Sequence, residues 1–537
     1  MEAWKFSFNW LAETDFPAEV IQSSKQTQVL QSQLASLKNL LNLIHQLQNL
    51  RSSILWPKDD KDEPVAPLYS PTPHDEWAGD LKKLQNEVER MICQHEQNNV
   101  EEFTRCKEAV EHLAKHSVHA LVPLLASKKA VAVGSDSNQP VSGKLLLSPR
   151  SNAVRAMVKS SADKSFTEGE SWNFANGIHR SDRLTCIDIP SMGFVVAPYG
   201  TSTAKNDKLA LAESGGTLRN EFVEIQIDTQ RGHLRSLHIP AKRGNRLSAM
   251  IGYRTKTGSK YEHSEMVARN VTVVENSNML GSIRVEGSMQ WQGKSVGDFA
   301  VEYEVRRGSR IFSANIQLSN LKHSDERNPW LSAFVLRLAW PNESAILRTF
   351  PDGRKTTWGG SKLIATDLIE IDEVDYQTYF LTGGLAFHAR QELRFLETVL
   401  AVSGQTNVEH KIGLAVDLPY PLPTAHQFMD RDYQVDLSGS ITPSSGWLVA
   451  VDSKAVHVDL ECPLQDDQGQ LVGLRVLVSE LHGRSITANV QFFRDIAEAH
   501  RVDYCDNKIS RVTADGDTLT IALRAGEQSL VDLLWKP

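Results

Sequence analysis

Residues Leu218 to His238 read LRNEFVEIQIDTQRGHLRSLH, and no other stretch constrains the fold as tightly. Val223, Ile225 and Ile227 alternate with Glu224, Gln226 and Asp228, which puts apolar side chains on one face of a strand and polar ones on the other. Thr229 to Gly232 supplies a polar turn, and the chain returns as a second short strand. A hairpin of this kind is stable only when its apolar face is covered by another layer.

The rest of the chain supplies that layer. Lys144 to Leu147, Ala153 to Lys159, Ile187 to Pro198 and most of the segment from Asn220 to Trp535 read as short strands separated by Gly, Asn, Asp and Pro. Strands repeated in this way imply a large antiparallel sandwich or several stacked sheets. There is no repeat of fixed period. Ahead of the strands, Leu30, Leu34, Leu37, Leu41 and Ile44 step by three and four along one helix stripe, which Trp56-Pro57 ends. Leu81, Leu84, Val88, Met91 and Ile92 mark a second helix, and Phe103, Cys106, Val110, Leu113 and Leu121 a third. The expectation is therefore an α+β chain in which an antiparallel three-helix bundle is followed by a large antiparallel β-sandwich with smaller β subdomains. The Ser-, Asn- and Gly-rich stretch from Gly134 to Gly143 marks a boundary. The divisions expected are a bundle over 1–133, a linker and first β subdomain over 134–217, the large sandwich over 218–430 and a terminal β subdomain over 431–537.

Composition excludes several classes. With 41% hydrophobic and 23% charged residues and a net charge of −8, the chain reads as an ordinary globular protein. No basic cluster interleaved with aromatics points to nucleic acid, so none is expected as a partner. The five cysteines are scattered without CxxC spacing, which argues against a structural zinc site or a redox motif. The opening MEAWKFSFNWLAETDF carries acids among its apolar residues and reads as no secretory signal, and no run approaches a membrane span. A cytoplasmic location without membrane association is the default expectation.

Several passages besides the hairpin bear on a family. KLLLSPRSNAVRAMV (Lys144 to Val158), IDIPSMGFVVAP (Ile187 to Pro198), RGNRLSAMIGYR, FLTGGLAFHAR, HKIGLAVDLPYPLPTA and RVLVSELHGRSITANVQFF come in one order. Together with the Asn-Glu-large-apolar opening of the hairpin, they resemble the region after the catalytic domain in glycoside hydrolase family 38, the zinc-dependent retaining α-mannosidases. Ser148-Pro149 stands where the family has an Asn-Pro-like step. The resemblance implies a bundle followed by a galactose mutarotase-like supersandwich. It also implies a catalytic domain, placed ahead of the bundle, whose zinc is held by His-x-Asp followed by Gly-Trp, by a second Asp that is the nucleophile, and by the His of His-His-Asp. This chain has no His-His-Asp. The expectation is the non-catalytic C-terminal part of such a protein, inactive alone and without a cofactor of its own. A carbohydrate-binding or scaffold module paired with a separately encoded catalytic domain is the alternative. An enzyme of another mechanism, suggested by the mutarotase-like fold, stands behind both.

By position within the resemblance, the residues placed to touch a sugar are Tyr253 in MIGYR and Gly383, Gly384, His388 and Arg390 in LTGGLAFHAR; separately, Trp358 in the TTWGG loop is a candidate exposed platform for sugar stacking. Glycines permit a close backbone approach, while Tyr, Trp and Arg stack on or hydrogen-bond a pyranose. Trp330, Trp340 and Trp447 read as core. His457-Val458-Asp459 places both side chains on one strand face, where an alternating surface strand accounts for them better than a metal. His112, His116 and His119 line one helix face and are weak metal candidates beside the simpler reading of a solvated stripe. Acidic pairs such as Glu370 with Asp372 and Asp466 with Asp467 are surface features by default, and there is no GxSxG. The partners expected are a mannoside, and a catalytic-domain chain or a second copy bound through an exposed apolar face.

Overall fold

The structure is a computed structural model. It describes residues 141–151, 154–159, 184–198, 210–211 and, apart from short gaps, 216–536, with helical residues inside 30–42, 82–86 and 105–114.

The hairpin forms as its alternation predicts. Glu224–Ile227 and Leu234–Ile239 pair antiparallel, with Ile225, Ile227, Leu234 and Leu237 buried. Asp228 Oδ1 accepts the Gln230 and Arg231 amides at 2.9 Å, closing the turn, and Gly232 takes φ +83°, the left-handed region that glycine enters without a Cβ penalty. The hairpin sits within a ten-stranded antiparallel sheet. Its path runs Ala210–Leu211, Thr217–Arg219, the hairpin and Lys242–Thr257, then crosses to Ser332–Ala339, Phe395–Ala401, Phe387–Gln391 and Lys362–Ile364. Lys260–His263 folds back on Lys242–Thr257.

A nine-stranded sheet faces it. Glu265–Asn276, Leu280–Trp291, Lys294–Arg306 and Ile311–Ser319 form a meander, continued by Val408–Val416, Gln377–Leu381, Leu368–Asp372, Ile346–Thr349 and Thr356–Thr357. Between the sheets lies one core, with Ile225, Leu247, Ile251, Leu336 and Leu396 from one side and Val285, Val301, Phe312, Ile316 and Leu414 from the other. Each such side chain contributes about 1.5–3 kcal/mol by leaving water, which is why the period-2 pattern decides the register. An interior void lined by Leu234, Ile251, Tyr303, Phe312, Leu336 and Leu414 measures ≈ 10 Å³. That is no larger than a water needs, so the interior of the sandwich offers no ligand pocket there.

The small sheets build a separate core. Tyr433–Ile441, Val141–Ser148, Gly193–Pro198 and Ser445–Trp447 make a four-stranded sheet, so the strand that opens the β region is paired by one from far down the chain. Val449–Val451, Ile486–Phe492, Thr518–Leu523 and Thr513–Asp515 form another. Val456–Gln465, Leu471–Glu480, Gln528–Trp535, Ile496–Val502 and Lys508–Arg511 form a five-stranded sheet. Glu480, which opens the Glu-Leu-His-Gly-Arg passage, is buried and accepts the amides of His482 (2.7 Å), Gly483 (2.9 Å) and Gly526 (2.7 Å). That passage is a turn anchored on a carboxylate.

The α+β expectation is corrected to a mostly β chain. The described helical residues do not support a free-standing three-helix bundle. Leu30, Leu34, Leu37, Cys106, Val110 and Leu113 share one core with Leu145, Phe194, Val458, Leu474 and Val476 of the sheets, so the helical stretches complete a β core. Of the second stretch, only Lys82, Lys83 and Asn86 are described, and all three are exposed. The first stretch is stitched to Val456–Gln465. Lys38 pairs with Glu461 at 2.6 Å, and Asn42 Nδ2 donates to the carbonyls of Leu460 (2.8 Å) and Glu461 (3.2 Å).

Candidate functional site

Two of the sugar-contact candidates come together on one rim of the sandwich. Ala345 and the strand that follows it, Ile346–Thr349, form the hub. The Trp358 amide donates to the Leu347 carbonyl at 2.9 Å, and Arg390 Nη2 donates to the carbonyls of Ala345 (3.2 Å) and Leu393 (2.7 Å). The Arg390 amide donates to the Ser361 carbonyl at 2.7 Å, three residues past Trp358. The indole of Trp358 is half-buried against the sandwich core, and a Cβ built on Gly360 would stand 3.1 Å from its Nε1. Gly359 meets nothing within 4 Å, so the loop beside the ring is open.

Two donors on this rim are left over. Trp358 Nε1 and Arg390 Nε are buried without a hydrogen-bond partner among the described residues, and burial pulls the Arg390 guanidinium below its ordinary value. Ile346 (40% exposed) and Leu393 (56%) flank them, and these are two of only six large apolar residues exposed among the described residues. An aromatic face, a guanidinium and two apolar side chains are the groups that stack on and hydrogen-bond a pyranose. The sequence pointed to Trp358 and Arg390. It did not point to Leu393, three residues past Arg390, or to Ile346, which follows the Ala345 carbonyl that Arg390 reaches from 45 residues away.

The other candidates go elsewhere. Tyr253 is buried, its hydroxyl 2.6 Å from Ser332 Oγ and accepting the Ser324 amide at 2.9 Å, and its ring packs on Phe334 with centroids 4.9 Å apart. It is a core tyrosine with its polar tip satisfied. His388 is completely buried. Its Nδ1 lies 2.8 Å from Thr398 Oγ1, and its Nε2 faces the carbonyls of Ala365 (2.8 Å) and Leu385 (3.1 Å). Carbonyls only accept, so Nε2 carries the proton and Nδ1 accepts from the threonine; burial pushes the ring down to about 4. Gly383 does permit a close approach, but to protein: at φ +61°, a Cβ there would meet the Lys411 carbonyl oxygen at 1.9 Å. Gly384 is buried, at φ +88°, and Gly383 half-buried. Trp330 and Trp340 are core as expected, whereas Trp447 is half-buried.

The metal readings gain nothing. His112 is exposed, and His116 and His119 lie outside the described residues. No group of three or more His, Cys, Asp or Glu side chains among the described residues could hold a metal. His457 and Asp459 are not on a free surface strand; they bond to each other, to Ser151 and to Asn39. The sequence also holds His323-Ser324-Asp325, whose histidine faces the Gln405 carbonyl at 2.7 Å. Glu370 and Asp372 both pair with Arg348, and Glu370, fully buried, also takes Lys355 at 2.7 Å, so the pair is an ion-pair cluster.

One cluster had no signal in the sequence. On the outer face of the ten-stranded sheet, Glu397 accepts Arg254 Nη1 at 2.9 Å through one oxygen and faces His263 Nε2 at 2.6 Å through the other, with Arg337 Nε at 3.6 Å. Burial raises the Glu397 carboxyl, yet the His263 hydrogen bond and the Arg254 charge hold it below the usual carboxylate range. Both oxygens are engaged and the residue is 1% exposed, so this cluster holds structure and meets no substrate in this state.

No family model and no curated protein matches the chain. Solved structures do. An α-mannosidase from Enterococcus faecalis V583 aligns over 98% of this chain and 69% of its own, at 10% identity and a TM-score of 0.59. A protein of glycosyl hydrolase family 38 from Enterococcus faecalis aligns over 95% of this chain and 71% of its own, again at 10% identity, with a TM-score of 0.61. A putative aldose 1-epimerase from Escherichia coli K12 aligns with 38% of the chain at 8% identity and a TM-score of 0.24. The first two share this chain's fold over 98% and 95% of its length, and the expected likeness to the family 38 C-terminal region is borne out at the level of the fold. No described helix is long and apolar enough to cross a membrane.

Proposed function

We propose that this chain is the non-catalytic, β-sandwich part of a glycoside hydrolase family 38-type α-mannosidase, and that its rim at Trp358 and Arg390 contacts carbohydrate. The observation that carries the reading is the shared fold across 98% of the chain with an α-mannosidase. The sequence supports the division of labour, because it has no His-His-Asp, and neither of its His-x-Asp steps is followed by Gly-Trp. On this reading the chain supplies a rigid scaffold and a sugar-facing rim, while the zinc chemistry belongs to an α/β domain. Ile346 and Leu393 favour a second use of the same rim, as the seat for that domain when it is a separate chain.

The test uses the purified chain with mannose oligosaccharides in titration calorimetry and with p-nitrophenyl α-mannoside plus zinc. Expected are binding that Trp358→Ala or Arg390→Ala weakens tenfold or more, and no hydrolysis. Turnover that survives purification to homogeneity overturns the non-catalytic reading. Absence of binding by the wild-type chain overturns the sugar-facing rim.

A further inference from the structure

Three segments far apart in the chain meet at one imidazole. His457 lies on strand Val456–Gln465; its Nδ1 is 2.9 Å from Ser151 Oγ, in the turn after strand Val141–Ser148, and its Nε2 is 3.1 Å from Asp459 Oδ1. The same Asp459 oxygen accepts Asn39 Nδ2 at 2.9 Å, and Asn39 Oδ1 accepts the Leu460 amide at 3.1 Å. The order serine, histidine, aspartate is that of an activated nucleophile. Ser151, however, is 4% exposed, and its oxygen also receives the Val458 amide at 3.3 Å, so the hydroxyl is engaged in holding the turn.

We infer that His457 is a proton-operated latch, which ties the helical stretch carrying Asn39 and the turn carrying Ser151 to the terminal five-stranded sheet. With both ring nitrogens protonated, the imidazolium donates to Ser151 Oγ and to Asp459 at once and neutralises the carboxylate that seats the helix. With one proton gone, Nε2–H still donates to Asp459 and the Ser151 hydroxyl donates to Nδ1, but the charge that neutralises the carboxylate is lost. The charged and titratable neighbours come from every packed element. Asp459 and Glu461 lie on the same strand, and Ser479 is opposite on the next. Lys38, paired with Glu461, and Asn39 come from the helix, Arg150 from the turn, and His426 from helix Pro421–Met429 acts on Asp459. Burial works against the charged ring and Arg150 opposes it, but Asp459 outweighs both and raises His457 above its ordinary value, while Asp459 itself is held well below the usual carboxylate range.

The sign follows. A histidine raised in the folded state contributes stability in full below about 6.5 and loses it as pH climbs through the raised value. The latch therefore closes on the acid side of neutral and loosens on the alkaline side. Hydrogen exchange on the full chain, corrected for intrinsic base catalysis, reads it at peptides covering 30–42 and 456–465. Protection there is expected to fall about tenfold between pH 6 and 9 per unit by which the histidine is raised. In His457→Gln the profile is flat, and in Asp459→Asn the fall between pH 6 and 9 disappears, because burial and Arg150 then act on the ring unopposed. Identical pH profiles in wild type and His457→Gln overturn the latch. Should the variants fail to fold, the ring carbon signal of His457 in the wild-type chain decides: a midpoint above 6.5 supports the latch, and one at or below 6.5 overturns it.

Discussion

Arg254 Nη1 donates to Glu397 Oε2 at 2.9 Å, and neither side chain has any exposure to solvent. Arg254 Nη2 also reaches the Pro329 carbonyl at 2.5 Å, so one guanidinium fastens the loop before Ser332–Ala339 onto the outer face of the ten-stranded sheet. A buried ion pair contributes little against an apolar pair of equal volume, but removing one partner strands the other. Arg254→Ala is expected to cost about 3–5 kcal/mol in urea unfolding. Arg254→Lys is expected to recover little, because a lysine cannot span both acceptors with a planar fork. The double variant that joins Arg254→Met to Glu397→Leu should recover most of the loss. An Arg254→Ala protein as stable as wild type would show the cluster to be incidental.

His388 makes stability depend on acid. Its ring stays neutral in the fold down to about 4, whereas the unfolded chain takes up a proton near 6.5. Stability is therefore complete above about 6.5 and declines as pH falls toward 4, by about 2 kcal/mol between pH 7 and pH 5. Gln at 388 keeps a donor and an acceptor but cannot titrate. Urea midpoints of wild type and His388→Gln at the two pH values should converge in acid. Parallel pH profiles would remove His388 as the cause.

What could be read from the sequence and what could not divide along a physical line. The alternation at Ile225 and Ile227 is local, and the fold obeys it. Arg254 and Glu397 sit on strands whose other face fills the sandwich, so alternation places them in solvent. A second small core of Trp330, Val335, Phe387 and Val399 covers that outer face instead. His388 was misplaced for the same reason, since the FHAR strand has apolar layers on both sides. Helix stripes at Leu30 to Leu41 were legible as helix, but not that their apolar face closes a β core, because Asn39 and Leu460 are brought together only by the whole topology. Trp358 and Arg390 were legible as loop and rim residues; their shared neighbour, Ala345 with the strand Ile346–Thr349 that follows it, was not.

Gly383 and Gly359 should respond oppositely to the same change. At Gly383, φ is +61° and an added Cβ would lie 1.9 Å from the Lys411 carbonyl oxygen, a backbone atom that cannot swing aside. Gly383→Ala is expected to cost more than about 2 kcal/mol, from the left-handed backbone and the clash together. Gly359→Ala meets open space and is expected to stay within about 0.5 kcal/mol of wild type. Thermal unfolding of the two variants side by side checks this, and a mild effect at Gly383 would mean that the neighbouring strand gives way.

Asn220 explains why the hairpin begins as it does. Its side chain donates through Nδ2 to the carbonyls of Arg306 (2.6 Å) and Ser309 (2.7 Å) and accepts through Oδ1 from the amides of Phe222 (2.8 Å) and Val223 (2.9 Å). Glu221 takes the Gly308 amide at 2.8 Å, and Arg310 stacks over Phe222 at 4.4 Å. The Asn-Glu-Phe triplet is thus a clamp that joins the ten-stranded sheet to a turn of the nine-stranded one. Asn220→Ala leaves four backbone groups without their partner and should cost about 2–4 kcal/mol. Asn220→Asp keeps the acceptor but, at pH 7, turns an oxygen toward two carbonyls where a donor stood, so it should be no milder than alanine. Urea unfolding ranks the two variants, and hydrogen exchange localises the loss to 220–239 and 306–311. An aspartate variant close to wild type would show that the acceptor half alone holds the sheets together.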